Sequence, residues 1–151
     1  DGPSLVFTKD EVKVCTRIRT PSLIFNPDTG HAHIVARCCG PNECSSKTEG
    51  RLGDNDKDAK VVMKTSTDGG VSWSDFQYLS PETFTGYTNG AGMYDRQTKS
   101  LVVQYNFIPG GSTKPAGNVS AYQIISSDDG KSWSDPVDIT KFLAPCNPNI
   151  T

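Results

Sequence analysis

One ten-residue segment occurs twice. Ser66-Thr67-Asp68-Gly69-Gly70-Val71-Ser72-Trp73-Ser74-Asp75 matches Ser126-Ser127-Asp128-Asp129-Gly130-Lys131-Ser132-Trp133-Ser134-Asp135 at seven of ten positions, 60 residues on. Each copy follows a β-like run, Val61-Val62-Met63 in one case and Ala121-Tyr122-Gln123-Ile124-Ile125 in the other. Asp68 and Asp128 are placed to accept backbone N–H bonds across a tight turn. Gly70 and Gly130 can supply positive φ. Trp73 and Trp133 offer large apolar plates for packing between strands. Each copy reads as a hairpin cap with its own anchor. Self-similarity at a fixed period points to arrays or propellers. A unit of 60 residues suits a four-stranded blade with its loops.

The rest of the chain agrees with an all-β fold. Ala and Leu are scarce, while 14 Gly and 10 Pro supply turns. Ser22-Leu23-Ile24-Phe25 and His33-Ile34-Val35-Ala36 flank the turn signal Asn26-Pro27-Asp28-Thr29-Gly30 and predict a hairpin. Leu101 to Tyr105 predicts another strand. Cys39 to Lys60 is polar and reads as a long surface loop, a length usually kept for function. Pro109 to Gly117 reads as a Pro/Gly loop. No helical period persists beyond a turn or two.

Composition excludes some functions. The chain of 151 residues carries 15 Lys+Arg against 17 Asp+Glu, a net charge of −2. A general binder of nucleic acid or anionic membrane would be basic. No apolar run is long enough to span a bilayer. Asp1 reads as a processed or expression-defined start.

The five cysteines are Cys15, Cys38, Cys39, Cys44 and Cys146. None has the paired spacing of a zinc site. With the sequons at Asn118 and Asn149 they point to an oxidising compartment, secreted and extracellular or lysosomal. Adjacent Cys38 and Cys39 are poorly placed to bond each other. Cys44 with one of them would close a small loop. Cys146 is left to pair with Cys15 or outside the chain.

The repeat S-x-D-x-G-x-[ST]-W resembles the Asp-box (BNR repeat) of sialidases, or neuraminidases, and of a few other propellers. The box alone is structural and marks a fold, not a chemistry. Three more stretches resemble sialidases. Arg19-Thr20-Pro21-Ser22-Leu23 is similar to the family's R-I-P-S-L, with Thr20 for Ile. Asn89-Gly90-Ala91-Gly92-Met93-Tyr94-Asp95, running on to Leu101 and Tyr105, is similar to G-N-P-x-P-V-x-D-x-x-T-G-x-L-x-L-x-Y, with Gly90 and Gly92 for the prolines. Asp129 to Thr140 is similar to D-x-G-x-T-W-S-x-P-R-D-L-T. The likeness runs from Arg19 to Thr140. It implies a six-bladed β-propeller of four-stranded antiparallel blades, of which this chain would hold two to three as one partial domain over residues 1–151. The Asp-boxes fall at 66–73 and 126–133.

The resemblance also implies chemistry. Sialic acid is a carboxylated sugar, and a planar guanidinium recognises a carboxylate bidentately. In the family three arginines do this, and the first falls at Arg19. Arg17 shares its strand face. Family sialidases retain configuration with a Tyr nucleophile assisted by Glu and an Asp acid/base. That Asp lies in the loop before the first Asp-box. Counting back from Ser66 lands on Asn55, between Asp54 and Asp56, with Asp58 next. Asp54 and Asp56 are the catalytic candidates. A further substrate-binding Arg precedes this Asp in the family. Arg37, 18 residues after Arg19, matches one spacing and Arg51 the other. Asn89 matches a position that reaches the sugar ring. His31 and His33 alternate on one strand, but two ligands do not make a metal site, and no cofactor is implied.

The family's other two triad arginines, its Tyr and its Glu lie C-terminal to the second Asp-box region. No Arg follows Arg96 here, and Arg96 sits in a turn. The expectation is an exo-α-sialidase represented by its N-terminal part, acting on a sialylated glycan. A second chain or further copies would complete the ring. The alternative is a non-catalytic sialic-acid-binding lectin of the same fold, closed by oligomerisation.

Overall fold

The computed structural model describes residues 6–8, 10–11, 15, 17–39, 59–81, 86–108 and 119–143, without the side chains of Arg17 and Asn89. Two four-stranded sheets form. The first takes β1 (Arg17–Asn26), β2 (His31–Cys39), β3 (Ala59–Ser66) and β4 (Gln77–Tyr78) in that order. The second takes β5 (Tyr87–Asp95), β6 (Ser100–Phe107), β7 (Ser120–Ser126) and β8 (Val137–Asp138). Every neighbouring pair is antiparallel. Among the described residues these are two meander blades of a sialidase-like propeller. β2 runs through Cys39 and β3 starts at Ala59, so both ends of the expected Cys39–Lys60 loop lie in strands, and the residues between them lie outside the described ones. A short helix, α1 (Thr140–Leu143), follows β8.

The Asp-boxes explain the tight third turn of each blade. In the first, Ser66 Oγ donates to Asp68 Oδ1 at 2.8 Å and accepts from Gly70 N at 2.8 Å. Asp68 also accepts from Ser72 N at 2.9 Å and from its hydroxyl at 2.5 Å. The second box repeats all four bonds among Ser126, Asp128, Gly130 and Ser132 at the same lengths. Gly70 and Gly130 have φ of 92° and 83°, which a side chain would resist. Bonds from the Ser72 and Ser132 side chains, then from their backbone N–H groups, hold both carboxyls down at about 2. Trp133 packs on the main core, as the sequence implies for a box tryptophan.

That core lies between the sheets. Ile24, Val35, Val61 and Met63 of the first blade meet Leu101, Val103, Tyr105 and Ile124 of the second. The period of two along β6 puts Leu101, Val103 and Tyr105 on one face. Close approach depends on two glycines of β5. A Cβ at Gly92 would lie 2.3 Å from Ile24 Cδ1, and one at Gly90 would lie 2.6 Å from Val35 Cγ1. Glycine here lets the inner strands of the two blades touch.

The other face of the first sheet carries a smaller cluster of Cys15, Ala36, Cys38 and Val62, with Phe7 and Phe76 packed on it. Cys15 and Cys38 form a disulfide. This corrects the pairing of Cys15 with Cys146 and removes Cys38 as a partner for Cys44. Cys39 is buried outside that bond. Lys64 Nζ contacts Glu11 Oε1 at 2.7 Å and lies 5.8 Å and 5.4 Å from the Phe7 and Phe76 ring centres. A buried ammonium therefore has both a carboxylate and two π faces.

Candidate functional site

The site is built where β1 and β5 begin and β2 ends. Arg19 and Arg37 are direct partners in the β1–β2 ladder. Side chains of directly opposed residues point to one face with Cβ atoms about 4.5–5.5 Å apart. Two permanently charged guanidinium stems thus leave the sheet together. Arg37 is buried at 4% exposure, while Arg19 is half-buried. Arg37 Nη1 makes a long contact of 3.5 Å to Thr88 Oγ1, which ties it to the second blade.

Local backbone irregularity shapes this end. The β1–β2 ladder slips between Arg19 and Ser22, and Thr20 takes φ of 48°. The β5–β6 ladder slips at the corresponding level, between Thr88 and Ala91. A bulge re-aims side chains and is common beside functional sites. Below the first bulge, the Ser22 hydroxyl accepts from Gly92 N at 3.1 Å and pins the blades together.

Asn89 lies in β5 inside the second bulge, next to Thr88. Arg51, Asp54 and Asp56, with Asn55 and Asp58, lie outside the described residues. The strands flanking that segment are informative. Cys39 and Ala59 are ladder partners, and Arg17 pairs with Cys39. Both ends of the segment therefore leave the sheet two residues along the ladder from the Arg19–Arg37 pair. Thr88 and Ser22 are site residues that residue type alone did not single out. Ser22 had a signal as the Ser of the R-T-P-S-L stretch; Thr88 had only its place beside Asn89.

A second polar cluster occupies the Asp-box end. His31 Nδ1 and His33 Nε2 lie 2.5 Å and 3.0 Å from the two carboxylate oxygens of Asp129. Asn26 Nδ2 donates to Asp129 Oδ1 at 2.7 Å. The histidines of one blade thus share a carboxylate of the other. Among the described residues no group of three or more metal-ligand side chains is placed to hold an ion, and none is long and apolar enough as a helix to cross a membrane.

Two blades of this kind, with paired arginines at one end and Asp-boxes at the other, define a sialidase-like fold. The comparisons agree at the level of fold. A Hadza microbial sialidase is 20% identical with a TM-score of 0.68, over 87% of this chain and 27% of its own. A leech intramolecular trans-sialidase, solved in complex with 2,7-anhydro-Neu5Ac, is 12% identical with a TM-score of 0.70, over 94% of this chain and 38% of its own. A protein of unknown function from Dyadobacter fermentans is 18% identical with a TM-score of 0.59, over 80% and 35%. This chain spans roughly a third of the length of these relatives. No family model and no curated protein sequence matches.

Proposed function

We propose that the chain is part of an exo-α-sialidase, a retaining glycosidase that releases terminal sialic acid from glycans. The observation that carries this reading is the register of Arg19 opposite Arg37. Two guanidinium groups at one sheet end suit an anionic sugar, one of them its carboxylate. Arg19 binds that carboxylate. Arg37 or Arg51 contacts the hydroxyl side of the sugar, and Asn89 reaches the ring. Asp54 or Asp56 serves as acid/base from the segment that starts beside the pair. The Tyr and Glu come from the rest of the ring, as further blades of the same protein, a second chain or further copies.

Two outward faces support completion by further blades. Leu23 and Phe25 on β1 are 65% and 58% exposed, and Met93 on β5 is 58% exposed. An open propeller also leaves unpaired edges. The Cys15–Cys38 disulfide suits a secreted, extracellular protein.

Native mass determination identifies what closes the ring. Hydrolysis of a fluorogenic sialoside by the closed assembly then tests the chemistry. Turnover supports the enzyme. Sialoside binding without turnover makes the protein a lectin, which needs only the arginines. Unchanged sialoside binding by Arg19→Ala overturns the assignment of the pair.

A further inference from the structure

The bulge in β1 decides which face of the sheet carries Arg19. Arg19 pairs with Arg37, and Ser22 pairs with Val35. Val35 and Arg37 are alternate residues of β2 and share a face. Arg19 and Ser22 are three residues apart on β1. An unbroken strand would put them on opposite faces. They share one because Thr20 and Pro21 together oppose Ala36. The extra residue inverts the alternation. Arg19 thereby joins Ser22 and Arg37 on the face that meets the second blade through Gly92 and Thr88.

The bulge is strained at one residue. Thr20 has φ of 48°, in the region where such bulges carry glycine. A β-carbon is disfavoured there, and a β-branched residue more so. Pro21 adds to this, because the residue before a proline favours extended backbone. The Thr20 side chain is exposed, so its own burial offsets none of the strain.

The same residues have an unstrained alternative. With Thr20 extended, the ladder would continue from Ser22–Val35 to Pro21–Ala36, Thr20–Arg37 and Arg19–Cys38. Arg19 would then take the outer face in place of Ile18, which pairs with Cys38 and packs on the Cys15–Cys38 cluster. Ile18 would leave that cluster. The bulged register accepts strain at Thr20, and burial of Ile18 offsets it.

We propose that Thr20 is the positioning residue of the arginine pair. Held in the left-handed region, it sets Arg19 on the face that carries Arg37 and keeps it off the outer face. The part of that pair in binding a sialoside rests on the function proposed above; the face that Arg19 takes does not.

The test compares Thr20→Gly, Thr20→Pro and deletion of Thr20 in the closed assembly, by calorimetric titration with a sialoside, thermal unfolding and crystal structures. Thr20→Pro fixes φ at about −65° and forbids the bulge conformation. Arg19 should move opposite Cys38, and sialoside affinity should fall about tenfold or more, to the level of Arg19→Ala. Deletion of Thr20 leaves Arg19 on the face of Ser22 without a bulge and should restore most of that affinity. A residue needed only for folding would not be better absent than replaced. Thr20→Gly should melt about 2–4 °C higher, with Arg19 still opposite Arg37. The proposal is overturned if Arg19 stays opposite Arg37 in Thr20→Pro, if the deletion variant places Arg19 on the outer face, or if Thr20→Gly melts no higher than the wild type. The last two results decide it even where Thr20→Pro does not fold. A wild-type assembly that binds no sialoside overturns the sialidase reading, and the crystal structures then decide the position of Arg19 alone.

Discussion

Nε2 of His33, on the first blade, lies 3.0 Å from Oδ1 of Asp129, on the Asp-box turn of the second. The other ring nitrogen, Nδ1, lies 3.0 Å from the Thr65 hydroxyl. A neutral ring satisfies both, with Nε2–H donating to the carboxylate and Nδ1 accepting from Thr65. Asp129 holds this position with φ of 62°, in the region that glycine favours, where Gly69 of the first box has φ of 73°. The inter-blade bonds hold a non-glycine residue in a conformation that otherwise costs about 1–2 kcal/mol.

This pair makes stability depend on pH. Burial lowers the pKa of His33, outweighing the attraction of Asp129. The unfolded chain therefore takes up a proton at higher pH than the folded one, and stability rises with pH across that interval. The contribution is complete above about pH 6.5 and is lost as pH falls toward the folded value. Asp129 behaves differently. Burial raises its pKa, but bonds from Asn26, His31 and His33 bring the net value below the ordinary one. Its contribution persists down to about pH 4 and is lost below. The melting temperature should fall as pH drops below about 6.5, and fall further below about 4. His33→Gln should flatten the upper step while leaving the lower one. An unchanged upper step in that variant would place the titrating group elsewhere.

Gly90 and Gly92 set the spacing of the blades. At Gly90 an added methyl meets Val35 Cγ1 at 2.6 Å and Val61 Cγ1 at 2.9 Å, both on β-branched side chains in strands. At Gly92 it meets Ile24 Cδ1 at 2.3 Å and Ile24 Cγ1 at 2.8 Å, again on a β-branched side chain in a strand. β-Branched rotamers move least. Gly90→Ala and Gly92→Ala should each destabilise by about 1–3 kcal/mol. Ile24→Val removes the clashing methyl and should recover part of the Gly92→Ala loss. Denaturant unfolding of the two single variants and the double variant measures that coupling.

The Cys15–Cys38 disulfide spans 23 residues and holds the segment that carries Phe7 and Glu11 against the first sheet. Loop closure of that length is worth about 3 kcal/mol. Reduction should lower the melting temperature by roughly 6–12 °C, at about 2–4 °C per kcal/mol for a chain of this size. Cys15→Ser should match the reduced protein. A reduced protein as stable as the oxidised one would mean that the Lys64–Glu11 contact and the aromatic packing suffice.

Much of this architecture was legible because local chemistry dictates it. The Asp-box hydrogen bonds need only Ser, Asp and Gly at fixed spacing, and both copies form them identically. The Asn26 to Gly30 turn needs only residues that favour turns. What stayed hidden depends on distance across the blades. Nothing local links Asp129 to His31 and His33, about a hundred residues earlier. The replacement of two family prolines by Gly90 and Gly92 was visible, but its reason is the position of Ile24 and Val35. The site was half legible. Arg19 and Arg37 were separate candidates until the ladder put them opposite each other.

The two arginines of that pair differ in burial, and this separates a binding role from a packing role. Arg37, at 4% exposure, packs its stem in the protein and touches Thr88, so Arg37→Ala removes packing and charge together. Arg37→Met keeps most of the stem and removes the charge alone. In the closed assembly Arg37→Met should lower sialoside affinity about tenfold or more, since a hydrogen bond to a charged group is worth about 1.5–3 kcal/mol. Its melting temperature should fall less than that of Arg37→Ala. Calorimetric titration gives the affinity and thermal unfolding gives the stability. Full affinity in Arg37→Met, with reduced stability in Arg37→Ala, would make Arg37 a structural tie between the blades and leave the second arginine role to Arg51.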